Sequence, residues 1–182
     1  KEVAEDLTGN LQAGDILIER TPFRLTDSFI PGRWGHAAFW LGSEAELRAL
    51  GIWDDPLTLP FQDAILSGRR VVEALRSGVE LNSLDHFLNV DDIAVLRYAG
   101  LGPEEKARVI LQALRQMGKR YDFNFDVETR DRLGCAELIY HAYGQADWPT
   151  RKWWGRSVIV PDDIVVRAVG DGPLFVVRLY ID

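Results

Sequence analysis

Gly35-His36-Ala37-Ala38-Phe39-Trp40-Leu41-Gly42 is a short apolar run closed at each end by glycine. It is too short for a stable helix and carries β-favouring aromatics, so it reads as a strand, with its turns at Gly35 and Gly42. Alternation along it puts His36, Ala38 and Trp40 on one face. Upstream, Asp15 to Glu19 is a strand after a Gly14 turn, and Arg20 to Gly35 is a loop punctuated by Pro22, Pro31, Gly32 and Gly35. Downstream, Ser43 to Gly68 reads as an irregular excursion, about residues 43–69, holding a short helix at Glu44 to Leu50 and a Pro56/Pro60 stretch. Arg70 to Leu75 is a β-branched-rich strand, Ser77-Gly78 turns it into Val79 to Leu81, and Ile93 to Tyr98 is another strand.

The character then changes. Pro103 followed by Glu104 and Glu105 opens a helix running to Met117, with Gly118 as its stop. A second helix spans about Leu133 to Tyr143, a third starts near Pro161-Asp162-Asp163-Ile164, and Leu174 to Tyr180 closes the chain as a strand. Consecutive strands with helices grouped rather than alternating define an α+β fold. No repeat or long linker divides the 182 residues, so one domain over 1–182 is expected.

Composition narrows the function. Lys and Arg total 21 against 28 Asp and Glu, a net charge of −7, which argues against binding nucleic acid or an anionic lipid surface. A single cysteine, Cys135, allows no internal disulfide and no cysteine-rich zinc site. The histidines His36, His86 and His141 show no metal-binding spacing, so neither metal nor cofactor is expected. Apolar runs such as Ala37 to Leu41 fall far short of the roughly 18 residues of a membrane span. The polar opening Lys1-Glu2-Val3-Ala4-Glu5-Asp6 does not read as a signal peptide.

Three residues carry candidate chemistry. Cys135 falls in the first turn of its helix, where unpaired N–H groups and the helix dipole favour a thiolate. It equally shares a face with Leu138, Ile139 and Ala142, as a buried structural cysteine would. His36 either presents its ring at the sheet end as a base or is a hydrogen-bonded strand-end histidine. Glu73 sits among Val71, Val72, Ala74 and Leu75, where an unpaired carboxylate costs several kcal/mol. It needs a partner such as a histidine on an adjacent strand, unless its strand lies at an edge and Glu73 faces water. His86, in a short helix after Asp85, and His141, off the Cys135 face, read as structural. Thiol, imidazole and carboxylate together would make a nucleophile, its base and the group that fixes the base's tautomer.

Five blocks in order carry a family resemblance. They are Gly14-Asp15-Ile16-Leu17, Gly35 to Gly42, Val71-Val72-Glu73-Ala74 with Gly78-Val79, Gly118-Lys119-Arg120-Tyr121-Asp122-Phe123, and Cys135-Ala136-Glu137-Leu138-Ile139. The chain resembles the circularly permuted papain-like hydrolases of the NlpC superfamily, the YiiX/YebB-like branch. Ordinary papain-like enzymes meet Cys before His; the permuted branch runs His, acidic residue, Cys, as His36, Glu73 and Cys135 do here. The resemblance implies a small antiparallel sheet packed against helices, with the nucleophile Cys135 at a helix N-terminus facing His36 and Glu73. It also implies that Tyr121 lines the site and helps hold substrate or oxyanion, although from the residues alone Tyr121 reads as well as a packed aromatic. The implied reaction is cleavage of amide bonds, in cell-wall peptides or N-acyl amides, through a thioester. The same frame admits a lipid acyltransferase or deacylase. A non-catalytic peptide- or glycan-binding module is the alternative from another class, using the excursion and Trp148, Trp153 and Trp154, which read either as a groove wall or as core. The implied partners are a small peptide, a cell-wall fragment or an acyl amide, and the implied location is the cell envelope or outside the cell.

Overall fold

The computed structural model describes residues 2–20, 32–122, 127, 132–144, 147–153 and 155–181. In chain order the elements are α1 (Glu2–Asn10), β1 (Ile16–Arg20), β2 (His36–Trp40), α2 (Glu44–Ala49), a 3-10 turn (Leu59–Phe61), α3 (Gln62–Leu66), β3 (Arg69–Leu75), β4 (Gly78–Ser83) and α4 (Leu84–Phe87). They continue with β5 (Asp92–Tyr98), α5 (Pro103–Leu114), β6 (Arg120–Tyr121), β7 (Arg132–Leu133), α6 (Cys135–Ala142), β8 (Arg151–Trp153), β9 (Arg156–Val158), α7 (Pro161–Val169) and β10 (Leu174–Tyr180).

Six strands form one antiparallel sheet in the order β10-β5-β1-β2-β3-β4. It is covered on both faces. Ile16, Ile18, Phe39 and Val72 pack with Ile110 and Leu114 of α5 and Leu138 and Ile139 of α6. Leu17, Ala38, Trp40 and Val71 pack on the other side with Leu7 and Leu11 near α1 and Leu84 and Phe87 of α4. Double coverage explains why β2 is apolar at nearly every position rather than at every second one. This is the expected α+β architecture, with helices on an antiparallel sheet.

Three parts differ from the expectation. The excursion at 43–69 is ordered, not irregular. Ser43 caps α2 through a reciprocal capping box with Glu46, and Leu47, Ile52, Trp53 and Ile65 enter the main core. A carboxylate oxygen of Glu46 also accepts the Ala13 N–H at 2.8 Å, tying the excursion to the entry of β1. Secondly, the polar opening is helical, as α1. Thirdly, two small ribbons appear, β6 with β7 in parallel and β8 with β9 in antiparallel. Trp148 is buried edge-on to Tyr143, Trp153 is exposed, and Trp154 lies outside the described residues, as does most of the expected loop from Arg20 to Gly35.

Two polar contacts brace the sheet. Asp15, buried before β1, takes Arg97 Nε at 2.7 Å and Nη2 at 2.8 Å on its two oxygens, and also the Gln12 N–H at 2.8 Å. The hydrogen bonds to Asp15 hold the Arg97 guanidinium still more firmly in its charged form. Asp162, in the first turn of α7, accepts the N–H groups of Arg33 and Trp34 at 3.0 Å each, just ahead of β2. A Cβ at Gly32, where φ is +146°, would fall 2.0 Å from an Asp162 oxygen, so only glycine fits there.

Candidate active site

His36 is the first residue of β2. The register pairs Ala38 with Glu73, so Glu73 shares a face with Ala38 and, two residues back, His36. The two side chains meet, with His36 Nε2 and Glu73 Oε2 2.9 Å apart. β3 is an interior strand and Glu73 is only 2% exposed, so the edge-strand reading of Glu73 does not hold.

Cys135 is the first residue of α6. Gly134 enters the helix in an extended conformation, and the Glu137 carboxylate accepts the Gly134 N–H, which fixes where the helix begins. The apolar residues of α6 pack into the core over β2 and β3, bringing its N-terminus to the start of β2. There Cys135 stands beside the His36 ring, close enough to act on its charge. Glu73 occupies Nε2 of the ring. Cys135 is buried at the head of the apolar stripe of α6.

The electrostatics follow from this arrangement. Burial works to keep His36 neutral, but hydrogen bonds from Cys135 and Glu73, with the charges of both, outweigh it and push His36 up to about 10. Burial likewise works to protonate Glu73, yet the bond and charge of His36, helped by Asn82 and His86, hold its carboxyl below the usual range. Tyr121 lies in β6 opposite Leu133, two residues before Cys135. Its phenol is pushed upward by burial, and then by Cys135 and Glu137, so it remains an O–H donor at any physiological pH. Phe123, next along the Tyr121 block, lies outside the described residues.

Two neighbours of Glu73 were not expected. Asn82 Nδ2 donates to Glu73 Oε1 at 2.9 Å, and the exposed His86 stands with Nε2 3.9 Å from that oxygen. The expected strand stopped at Leu81. Had its alternation been carried one residue further, Glu80 and Asn82 would have fallen on the Glu73 face. His141 packs edge-on to Tyr140 on α6. Among the described residues no three His, Cys, Asp or Glu side chains stand together as a metal-holding group.

A helix-borne thiol, a strand-borne imidazole and a carboxylate on the next strand, met in the order His, Glu, Cys along an antiparallel sheet, define the class of circularly permuted papain-like folds. Residues 10–169 match the family described as permuted papain-like amidase enzyme, YaeF/YiiX, C92 family. The chain belongs to that family of cysteine peptidase- and amidase-like hydrolases. The crystal structure of the metalloprotein yiiX from Escherichia coli O157:H7 is similar, with a TM-score of 0.67 and 18% identity over 95% of this chain and 99% of that one. That likeness is one of fold. No curated protein matches the chain.

Proposed function

We propose that the protein hydrolyses amide bonds through a thioester on Cys135. The observation that carries this reading is the buried His36–Glu73 hydrogen bond at 2.9 Å, with Cys135 beside the same ring. The Cys135 sulfur attacks the amide carbonyl carbon. The backbone N–H of Cys135, in the first turn of α6, and the Tyr121 hydroxyl receive the developing oxyanion. His36 delivers its proton to the leaving nitrogen as the C–N bond breaks. Water, deprotonated by the same ring, then cleaves the thioester and restores the thiol. Glu73 holds the ring so that Nδ1 faces sulfur and stabilises the imidazolium. The substrates this reading favours are peptide amides of the cell wall or N-acyl amides.

One cysteine makes the test clean, because any alkylation reports on Cys135 alone. Iodoacetamide should label the folded protein once, rapidly, at neutral pH, and His36→Ala should slow labelling by about 100-fold or more. A thiol that reacts only after denaturation would overturn the reading in favour of a binding module.

A further inference from the structure

Glu73 and Glu80 stand directly opposite each other across β3 and β4. Like charges in that position destabilise a strand pair unless something between them offsets the repulsion. What lies between them is Asn82. Its Nδ2 donates to Glu73 Oε1 at 2.9 Å and reaches Glu80 Oε1 at 3.3 Å. Carboxylates are acceptors only, so the amide must turn its NH2 toward them, and its orientation is fixed by that chemistry. The unbroken β3–β4 register pairs Asn82 with Val71, on the same face as Glu73, and so brings the amide within reach; the register shifts only beyond that pair, between Arg69 and Val71.

We infer that Asn82 is a positioning residue, which anchors the second oxygen of Glu73 so that the first stays on His36. This rests on the reading of Cys135, His36 and Glu73 as the reacting set. A carboxylate held at one oxygen alone can swing about its χ angles. Held at both, it has one orientation, and the imidazole it grips has one tautomer and one tilt. The charged and titratable groups around Glu73 are His36 from β2, Glu80 beside Asn82 on β4, and His86 from α4, with Cys135 beyond His36. His86 at 3.9 Å, on an exposed side chain, cannot replace the amide as a short, fixed donor. Without the Asn82 donor, the charged form of Glu73 loses a hydrogen bond and faces Glu80 directly, so Glu73 takes up a proton at higher pH. Thiol reactivity that depends on the Glu73 charge is then lost earlier as the pH falls.

The test follows iodoacetamide alkylation of Cys135 from about pH 4 to about pH 9 in wild type, Asn82→Ala and Asn82→Asp, with melting temperatures alongside. Asn82→Ala should move the acid limb upward by about one pH unit and slow alkylation several-fold at neutral pH. Asn82→Asp has nearly the same shape but sets a third carboxylate among the other two, and should move the limb further; it decides the matter if the alanine variant does not fold. Limbs that superimpose on wild type in both variants, or a lowered melting temperature with an unmoved limb, would overturn the inference. His36→Ala and Glu73→Gln separate the two levels. If they slow alkylation while the Asn82 variants do not, only the role of Asn82 falls; if they too leave it unchanged, the reacting set itself is wrong.

Discussion

Asp15 and Glu73 are both buried carboxylates of the sheet region, and their partners make them different devices. Asp15 faces Arg97, whose guanidinium is planar, forked and permanently charged, and both its oxygens are taken at 2.7 and 2.8 Å. Glu73 faces His36, whose charge can change, and a neutral amide. The first pair serves to hold strands together, because the guanidinium keeps its proton. The second can pass a proton along, since the ring between carboxylate and thiol exists in two charge states. Burial alone does not distinguish a brace from a site. The chemistry of the partner does.

The sharpest way to break this contrast is to remove the charge from Glu73 while keeping its shape. Glu73→Gln should slow hydrolysis of a chromogenic N-acyl anilide by roughly 10³-fold, with the melting temperature little changed. Near-wild-type turnover would remove Glu73 from the site and leave at most a thiol–imidazole pair. The opposite pattern is expected at the brace. Arg97→Met leaves Asp15 buried without its cation and should cost about 3 kcal/mol, the low end for a broken buried pair because the guanidinium is itself partly exposed. Urea unfolding measures that loss, and alkylation of Cys135 in the folded variant should match wild type. A brace variant that lost thiol reactivity at full stability would merge the two devices.

The smallest effect is a slope with pH. His36, ordinarily at 6.5, is held up to about 10, so its contribution to stability is complete below 6.5 and is lost as the pH rises through about 10. Glu73 is shifted downward, so its contribution is complete above its ordinary 4.5 and is lost only in more acid solution. The pair is therefore at full strength between 4.5 and 6.5. Melting temperature should decline from about pH 6.5 toward about pH 10 in wild type and in Arg97→Met, and decline less in His36→Ala. Equal slopes in all three would show that His36 is not held in its charged form.

Much of this was legible in the residues, for physical reasons. The run between Gly35 and Gly42 is apolar on both faces and too short for a helix, so β2 followed. Leu174 to Tyr180 emerged as β10 with the same bounds. The anomaly of a glutamate among valines asked for a partner, and the structure supplies His36. Other parts gave little signal. Among the described side chains of α1 only Leu7, with Leu11 just beyond it, marks a buried stripe. The excursion was disguised by Gly51, Pro56 and Pro60, yet Gly51 only follows the end of α2 and Pro60 lies within the 3-10 turn that leads into α3. Strands of two or three residues, such as β6 and β7, are too short to show any period. Asn82 escaped because a polar residue after Leu81 looks like the end of a strand, whereas Ser83 is its last member.

The clasp between Asp162 and the backbone of Arg33 and Trp34 bears on how the protein can be dissected. A fragment ending with α6 would carry His36, Glu73, Tyr121 and Cys135, every group the proposed chemistry calls for. It would also lack the α7 carboxylate that sets the approach to His36, and β10, which covers the far side of β5. The smallest unit that could be transplanted or fused is therefore larger than the set of reacting residues. Its boundary is drawn by a late helix that carries none of them.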